Sequence, residues 1–308
     1  MNVSPRSAQY PKYAKHPSYF PYPPASGAVT APVPAPAAAP SPAAVAHPPA
    51  PAAAPAPRAV RTERRGPVLY IELDSPATGN AVTTAVLDEL IEALAEPDPD
   101  VRVVVLSAAG PDFCLGGDRD EFATALGEDP TGGGIRSYGS KARRVCDALT
   151  NHPAVTVARV QGRATGAGFA LALACDLRVG AESAVFRLPE LALGLPVAWG
   201  GLLPRLLNEV GAARVREIIL TGRPVGAQEA RELSVLQRVV PAEELDRAVE
   251  EWVRPVTRRA EAALRVTKTL LNSHTAATRL ADASLLDGEL MASVLAAAHY
   301  ARAAAPDA

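Results

Sequence analysis

Two glycine-containing turns are the places in this sequence where the main chain could take part in chemistry. The first, GPDFCLGGD (110–118), follows an apolar run at 101–107, and the second, QGRATGAGFALALACD (161–176), follows another at 154–160. Small residues between a buried strand and a helix let backbone N–H groups approach a ligand closely. The first turn of a helix adds unpaired N–H donors and the positive end of its dipole. Two such turns side by side could direct two N–H groups at one oxygen atom, which is the arrangement of an oxyanion hole.

Each turn on its own is equally consistent with tight packing between a strand and a helix. Neither is a phosphate-binding motif, because the sequence contains no GxxxxGK[ST] and the spacing of Gly162, Gly166 and Gly168 is not that of GxGxxG. The chemical interpretation therefore depends on the two turns meeting at one place.

The elements that would position these turns can be predicted from hydrophobic periodicity. Continuously apolar or β-branched runs predict strands at 67–73, 101–107, 154–160, 176–179 and 184–187. Apolar residues at helical spacing predict a helix that contains Val82, Val86, Leu87, Leu90, Ile91 and Leu94. Beyond Gly201 the chain is predicted to be mostly helical, with helices at 201–219, 226–233, 242–262, 264–275 and 279–300. This order predicts one α/β domain with a helical C-terminal region.

The N-terminal segment differs in composition from the rest of the chain. Of the 30 prolines, 16 lie before residue 60, and the first acidic residue is Glu63. Alternating alanine and proline offers little to bury, so residues 1–62 are predicted to be a disordered Ala/Pro-rich tail. Aromatic residues between Tyr10 and Tyr22 leave open a docking motif within this tail.

Charge, hydropathy and cysteine content exclude several classes of function. The net charge of -2 gives no general attraction to nucleic acid. No apolar run is long enough to span a membrane, and no secretory signal is recognised. An odd number of cysteines, Cys114, Cys146 and Cys175, predicts a reducing cytoplasm. The five histidines show no metal-binding spacing, so no metal is expected.

In this order and spacing, the two turns resemble those of the enoyl-CoA hydratase/isomerase family, also called the crotonase superfamily. The resemblance covers about residues 64–270. Its five segments are LDSPATGNAV (73–82), FCLGGD (113–118), QGRATGAGFALALACD (161–176), FRLPELALGLPVAWGGLLPRL (186–206) and LTGRPVGAQEARELSVLQRVVP (220–241).

The resemblance implies a crotonase-like spiral of ββα units over residues 63–255. It also implies that residues 256–308 form a helical oligomerisation region that builds homotrimers or hexamers. The implied chemistry is the capture of a thioester carbonyl by two backbone N–H groups, which stabilise an enolate. By position, these donors are Gly117 and Ala167. Ala167 replaces the usual glycine, and the donor is kept if its φ is negative.

Hydratases of the family use two glutamates, and this sequence keeps one of the two positions. Ala170 stands at the first position and Glu190 at the second. Addition of water across a double bond is easiest with two acid–base groups, one that orients the water and one that handles the proton at C2. Moving a double bond from C3 to C2 needs only one base. By resemblance, members that keep only the second position are typically Δ3,Δ2-enoyl-CoA isomerases. We therefore predict an isomerase with Glu190 as its base.

Further residues are implied to contact the substrate, which is expected to be an acyl-CoA or an acyl-carrier-protein thioester. These predicted substrate-binding residues are Asn80, Ala81, Leu115, Asp118, Gly166 and Trp199. No cofactor is expected beyond the coenzyme A that the substrate carries. Because lysines are rare in the chain, an arginine such as Arg64, Arg65 or Arg119 is expected to meet its phosphates.

Two other classes of function stay open from the sequence. The first is an enoyl-CoA hydratase or dehydratase, or an acyl-CoA decarboxylase, of a specialised polyketide or aromatic-acid pathway. The second is a non-catalytic protein that binds acyl-CoA or acts as a scaffold, which the loss of a carboxylate at Ala170 would favour.

Overall fold

A six-stranded sheet organises the part of the chain that the structure describes. The computed structural model describes residues 58–95, 97–277 and 283–304 of the 308 residues. The strands are β1 Val60–Arg65, β2 Val68–Leu73, β3 Val103–Ala108, β4 Val155–Val160, β5 Arg163–Thr165, β6 Leu177–Ala181, β7 Val185–Arg187, β8 Val225–Gly226 and β9 Arg238–Val240. The helices are α1 Thr84–Ala95, α2 Arg119–Glu128, α3 Gly133–Asn151, α4 Ala167–Leu173, α5 Leu202–Val210, α6 Ala212–Thr221, α7 Ala227–Glu232, α8 Leu245–Thr257, α9 Glu261–Ala277 and α10 Asp287–Ala304.

The large sheet has the strand order β1-β2-β3-β4-β6-β9 and is parallel apart from the β1–β2 hairpin. Strand β3 is apolar apart from Ser107, because the sheet is covered on both faces. Successive side chains of a strand point to opposite faces. Val104 and Leu106 therefore join the core that includes α1, α3 and α4, whereas Val103 and Val105 join a second core under α8.

A smaller sheet, ordered β5-β7-β8, carries the second strand of each repeat. Strand β4 lies in the large sheet and β5 in the small one, and helix α4 follows; β6, β7 and α5 repeat the same order. The predicted α/β class with repeated ββα units and a helical C-terminal region is thereby confirmed. Because β3 and β4 are parallel neighbours, the two glycine turns that follow them emerge at the same edge of the sheet.

Several boundaries differ from the sequence prediction, and two of the differences change the organisation of the chain. Strand β1 begins at Val60, so the structured part of the chain reaches into the segment 1–62 that was predicted to be a tail. Residues 1–57 lie outside the described residues, and their predicted disorder stays a prediction. The single helix predicted at 201–219 is two helices, α5 and α6, because Gly211 between them has φ +91°, which a helix cannot accommodate.

The C-terminal region is helical over the residues described. Helix α9 leaves the apolar side chains of Val266, Leu270 and Leu271 exposed, and α10 packs against α3. Of the helices within the described ranges, none has the length and apolar character needed to cross a membrane.

Candidate active site

The first glycine turn lies between two other segments of main chain and is hydrogen-bonded to both. On one side, the N–H of Val82 donates to the Gly116 carbonyl at 2.8 Å, and the N–H of Asp118 donates to the Val82 carbonyl at 3.1 Å. On the other side, the N–H of Cys114 donates to the Arg163 carbonyl at 3.0 Å, and the N–H of Thr165 donates to the Cys114 carbonyl at 2.9 Å. The two turns predicted to act together are therefore neighbours, joined by the β5 segment.

Gly117 lies in this turn with an unpaired N–H. The two hydrogen bonds to Val82 use the carbonyl of Gly116 and the N–H of Asp118. The N–H of Gly117 between them forms no hydrogen bond to any described residue. A β-carbon on Gly117 would lie 2.9 Å from the Phe122 ring and 3.0 Å from the Tyr138 hydroxyl. Glycine is needed here because aromatic side chains occupy the space beside it.

Ala167 supplies the second donor as the first residue of α4. The first N–H groups of a helix have no partner within the helix, and the Ala167 N–H donates to no described residue. Ala167 is helical and its φ is not positive. The replacement of the usual glycine by alanine therefore keeps this N–H donor in place. One residue later, a β-carbon on Gly168 would lie 2.5 Å from the Cys114 carbonyl oxygen. Helix α4 therefore packs directly on the first turn.

Glu190 lies beside the second turn. The Gly166 N–H donates to the Arg187 carbonyl at 3.0 Å, which holds the end of β7 against the start of α4. Three residues later Glu190 opens a short 3₁₀ turn, and its Oε1 lies 3.0 Å from the position of a β-carbon on Gly166. Its Oε2 is buried and has no hydrogen-bond partner. Burial raises the pKa of the carboxyl group to about 7, although its own main-chain N–H lowers that pKa in part.

A cluster of three aromatic residues lies on the Gly117 side of the site. The centroids of the Tyr138 and Trp199 rings are 6.4 Å apart, and Phe122 packs edge-on against Tyr138 at 4.8 Å. The Tyr138 hydroxyl donates to the Val82 carbonyl at 3.0 Å. Ala170 is buried one turn into α4, so a methyl group stands where a second carboxylate would be expected in a hydratase.

Two polar side chains that were predicted to bind substrate form hydrogen bonds to neighbouring main chain. Asn80 is only 2% exposed; its Nδ2 donates to the carbonyls of Ala109 and Asp112, and its Oδ1 accepts the N–H of Ser75. Asp118 accepts the N–H groups of Asp120 and Glu121 and caps helix α2. Both side chains hold neighbouring main chain in place, and their contact with a substrate stays a prediction.

The other predicted substrate-binding residues lie around the two turns. Leu115 is partly exposed and donates its N–H to the Gly79 carbonyl at 2.9 Å, which sets it beside Ala81. Gly166 has φ +51° and is the residue that separates Glu190 from Ala167.

The three arginines expected to meet phosphates are placed differently. Arg64 pairs with Asp98, and Arg65 pairs with Glu63 beside the hairpin that starts β2. These two lie at the end of the sheet opposite the glycine turns, and their contact with a phosphate stays a prediction. Arg119, two residues after Gly117, is exposed at the start of α2.

Two further features near the sheet have no part in the proton transfer that this site could perform. Cys114 is buried, and burial raises the pKa of its thiol to about 12, so it is not a nucleophile. A wide groove of about 1410 Å³ lies on the α8 face beside Tyr70; Arg65 lines it, whereas Gly117, Ala167 and Glu190 do not.

Comparison with known proteins gives one consistent family. The sequence profile described as enoyl-CoA hydratase/isomerase matches residues 63–304. A probable enoyl-CoA hydratase of Mycobacterium bovis is 31% identical over 234 residues, which are 75% of this chain and 85% of that protein. A carnitinyl-CoA dehydratase of Salmonella enteritidis is 35% identical over 207 residues, or 67% of this chain and 77% of that protein.

Solved structures of similar proteins have the same fold. An enoyl-CoA hydratase from Bacillus anthracis superposes with a TM-score of 0.66 at 29% identity, covering 78% of this chain and 91% of that one. A putative enoyl-CoA hydratase from Thermobifida fusca, solved in complex with CoA, gives a TM-score of 0.63 at 31% identity over 80% and 95% of the two chains.

Proposed function

Because this chain belongs to the enoyl-CoA hydratase/isomerase family, we propose that it binds an acyl-CoA thioester and moves a double bond of the acyl group from C3 to C2. Glu190 takes a proton from C2 and returns it at C4, so the reaction consumes no water and needs no other reactant. The observation that carries this proposal is the single unpartnered carboxyl group of Glu190 beside the two free N–H donors.

The thioester oxygen is placed between the N–H groups of Gly117 and Ala167. Removal of the C2 proton moves charge onto this oxygen, and two fixed donors stabilise the enolate more than the neutral carbonyl. A donor of this kind typically contributes about 3–4 kcal/mol of transition-state stabilisation. Because both donors belong to the main chain, their positions depend on how the turns pack on α4 and Val82.

Glu190 is suited to both halves of the proton transfer. With a pKa raised by burial to about 7, it is partly ionised at neutral pH and holds a proton readily once it has taken one. Its free Oε2 can reach toward a substrate without first breaking a bond to the protein.

Hydration is the second candidate reaction, since most of the similar proteins are named hydratases. It would require Glu190 alone to direct a water molecule and to manage the proton at C2. The methyl group of Ala170 gives no help in either task. A relative from Mycosarcoma maydis bears the name enoyl-CoA isomerase/hydratase, which joins both reactions.

Coenzyme A is the proposed carrier of the acyl group, and the name of the Thermobifida fusca complex supports this choice. Arg119, exposed beside Gly117, is the proposed partner of a phosphate. An acyl carrier protein presents the same thioester and is the alternative carrier.

The test is turnover of the purified full-length chain with 3-enoyl-CoA and 2-enoyl-CoA substrates in deuterated water. We expect the 3-enoyl substrate to give the 2-enoyl product without added water, and Glu190→Gln to abolish that turnover while substrate affinity is kept. Addition of water to the 2-enoyl substrate as the main reaction would favour hydration. Binding that Glu190→Gln leaves intact, without any product from the unaltered chain, would favour a non-catalytic protein.

A further inference from the structure

We propose that a second groove, at the end of the sheet opposite the glycine turns, binds a phosphate group. This groove lies between the segment 151–153, which leads into β4, and one face of α9, and its volume is about 460 Å³. Arg265 and Lys268 line it together with His152, and no acidic residue of the described chain does. A groove with two cations and no carboxylate favours an anion.

Strand β4 separates this groove from the candidate active site. The segment 151–153 enters the strand, whereas the second glycine turn follows its end at Val160. The six residues of the strand span about 20 Å. A ligand in the groove therefore leaves the thioester site free, and binding here does not depend on the reaction proposed above.

Two hydrogen bonds hold the walls of the groove together. Lys268 Nζ donates to the Ala154 carbonyl at 3.0 Å, and one turn later Asn272 Nδ2 donates to the Thr150 carbonyl at 2.8 Å. The chain before β4 is thereby bound to two successive turns of α9, with His152 between the two contacts. The groove is therefore formed without a ligand, so little conformational order has to be gained on binding.

His152 carries a hydrogen-bond donor that no described residue uses. The residue is 5% exposed, and its Nδ1 accepts the N–H of Ala154 at 3.1 Å. Burial and the nearby charge of Lys268 lower its pKa to about 4, so the ring is neutral at pH 7 and carries its proton on Nε2. Nε2 is not among the buried side-chain atoms that lack a partner, so this N–H is open to the groove.

The two cations of the groove differ in how far they are already neutralised. Lys268 Nζ also binds Asp176 at 2.7 Å, which leaves one of its three N–H donors. Arg265, one turn earlier on α9, is exposed and forms no ion pair with any described residue. Glu261, one turn before Arg265, binds Arg102 at 3.2 Å. Arg265 therefore supplies the positive charge that an anion would neutralise.

A phosphate group matches these donors better than a carboxylate does. His152, Lys268 and Arg265 each offer N–H donors to the groove. A phosphate group has three strong acceptor oxygens and close to two negative charges at neutral pH, whereas a carboxylate has two oxygens and one charge. The volume of the groove lies in the range of small-molecule sites, so the phosphate can be free or part of a larger molecule.

The experiment titrates the full chain with inorganic phosphate and with AMP at constant ionic strength, because salt screens exposed charges. Calorimetry measures the affinities, and NMR of the histidine ring nitrogens locates the ligand, with His152→Gln identifying the signals of His152. Arg265→Gln removes the unpaired charge from an exposed position. Arg258→Gln is the matched control, since Arg258 is also exposed and does not line the groove.

We expect both ligands to shift the Nε2 signal of His152, and Arg265→Gln to weaken their binding about tenfold while Arg258→Gln leaves it unchanged. Tighter binding of AMP would identify a nucleotide as the ligand, and tighter binding of phosphate would identify the free ion. No shift at His152, or equal weakening by both arginine variants, would overturn the inference.

Two further measurements keep the test decisive. If His152→Gln does not fold, the calorimetric comparison of Arg265→Gln with Arg258→Gln decides, because both substitutions are at exposed positions. Turnover of a 3-enoyl-CoA by Arg265→Gln should equal that of the natural chain, so the result does not depend on whether the proposed function is correct.

Discussion

At the scale of single residues, the Glu190 carboxyl group should control the pH dependence of the reaction. A base must be ionised to accept a proton, and burial raises the pKa of this carboxyl group to about 7. We expect kcat/KM for a 3-enoyl-CoA to rise with pH through a midpoint near pH 7 and to be about 100-fold lower at pH 5 than at pH 8. The measurement is a pH–rate profile, and a midpoint near pH 4.5 would show that the carboxyl group is solvated.

The same raised pKa has a consequence for stability. Above its ordinary value of 4.5, the carboxyl group ionises in the unfolded chain but stays protonated in the folded one until about pH 7. The unfolding free energy of the natural chain should therefore fall, relative to Glu190→Gln, by up to about 3 kcal/mol between these pH values. Urea unfolding of both proteins at pH 4, 6 and 8 measures this difference, and a difference that does not change with pH would refute the expected burial.

Sequence patterns could predict the residues whose role depends on main-chain position or on a motif. Gly117, Ala167 and Glu190 all lie where their motifs place them. The motifs did not predict the main-chain hydrogen bonds of Asn80 and Asp118, because such side chains can serve equally well as ligands or as partners of the main chain. Their partners, at Ala109 for one and at Glu121 for the other, are set by folding and cannot be recognised from residue type.

At the scale of elements, the contact between α4 and the first turn should control the spacing of the two donors. A methyl group at Gly168 would lie 2.5 Å from the Cys114 carbonyl oxygen, so Gly168→Ala must push the helix away from the turn. We expect a loss of kcat of about 100-fold or more. Steady-state kinetics with a 3-enoyl-CoA provide the measurement.

Gly127→Ala is the control for this prediction. Gly127 lies inside α2 with nothing within 4 Å of the added carbon, so alanine should raise stability by about 1 kcal/mol and leave kcat unchanged. If both variants keep full activity, the packing of α4 on the turn does not set the donor geometry.

Elements with a clear apolar pattern were predictable, including the short strand β7, whereas the short strands β5 and β8 and the polar strand β1 were not. The runs at 101–107 and 154–160 became β3 and β4 because a strand covered on both faces is mostly apolar, which gives a recognisable run even where Arg159 interrupts it. Strands β5 and β8 have three and two residues, too few to show alternation, and they form only because β7 lies between them. Polar β1 pairs with β2 as an exposed strand, for which the sequence carries no apolar signal.

At the scale of the whole molecule, the outer face of α9 is expected to be the surface on which copies of this chain associate. Val266, Leu270 and Leu271 are 54%, 56% and 63% exposed, and grouped apolar side chains on a surface often mark an interface. We expect Leu270→Glu to shift a trimer or hexamer toward smaller species in light scattering. Leu220→Glu, at a 72% exposed leucine of α6, is the control and should leave the mass unchanged. A monomeric natural chain would show that this face stays in solvent.

The two N–H donors of this site are inherited with the fold, because they belong to the peptide backbone. A codon change at position 167 replaces a side chain but leaves the amide, as Ala167 itself illustrates. Side chains around the donors, such as those at 170, 190 and 199, can be substituted one at a time while both main-chain N–H donors are kept. This fold is therefore suited to laboratory evolution. Libraries of variants at those three positions would sample new reactions, and every variant would keep the two N–H donors that stabilise the enolate.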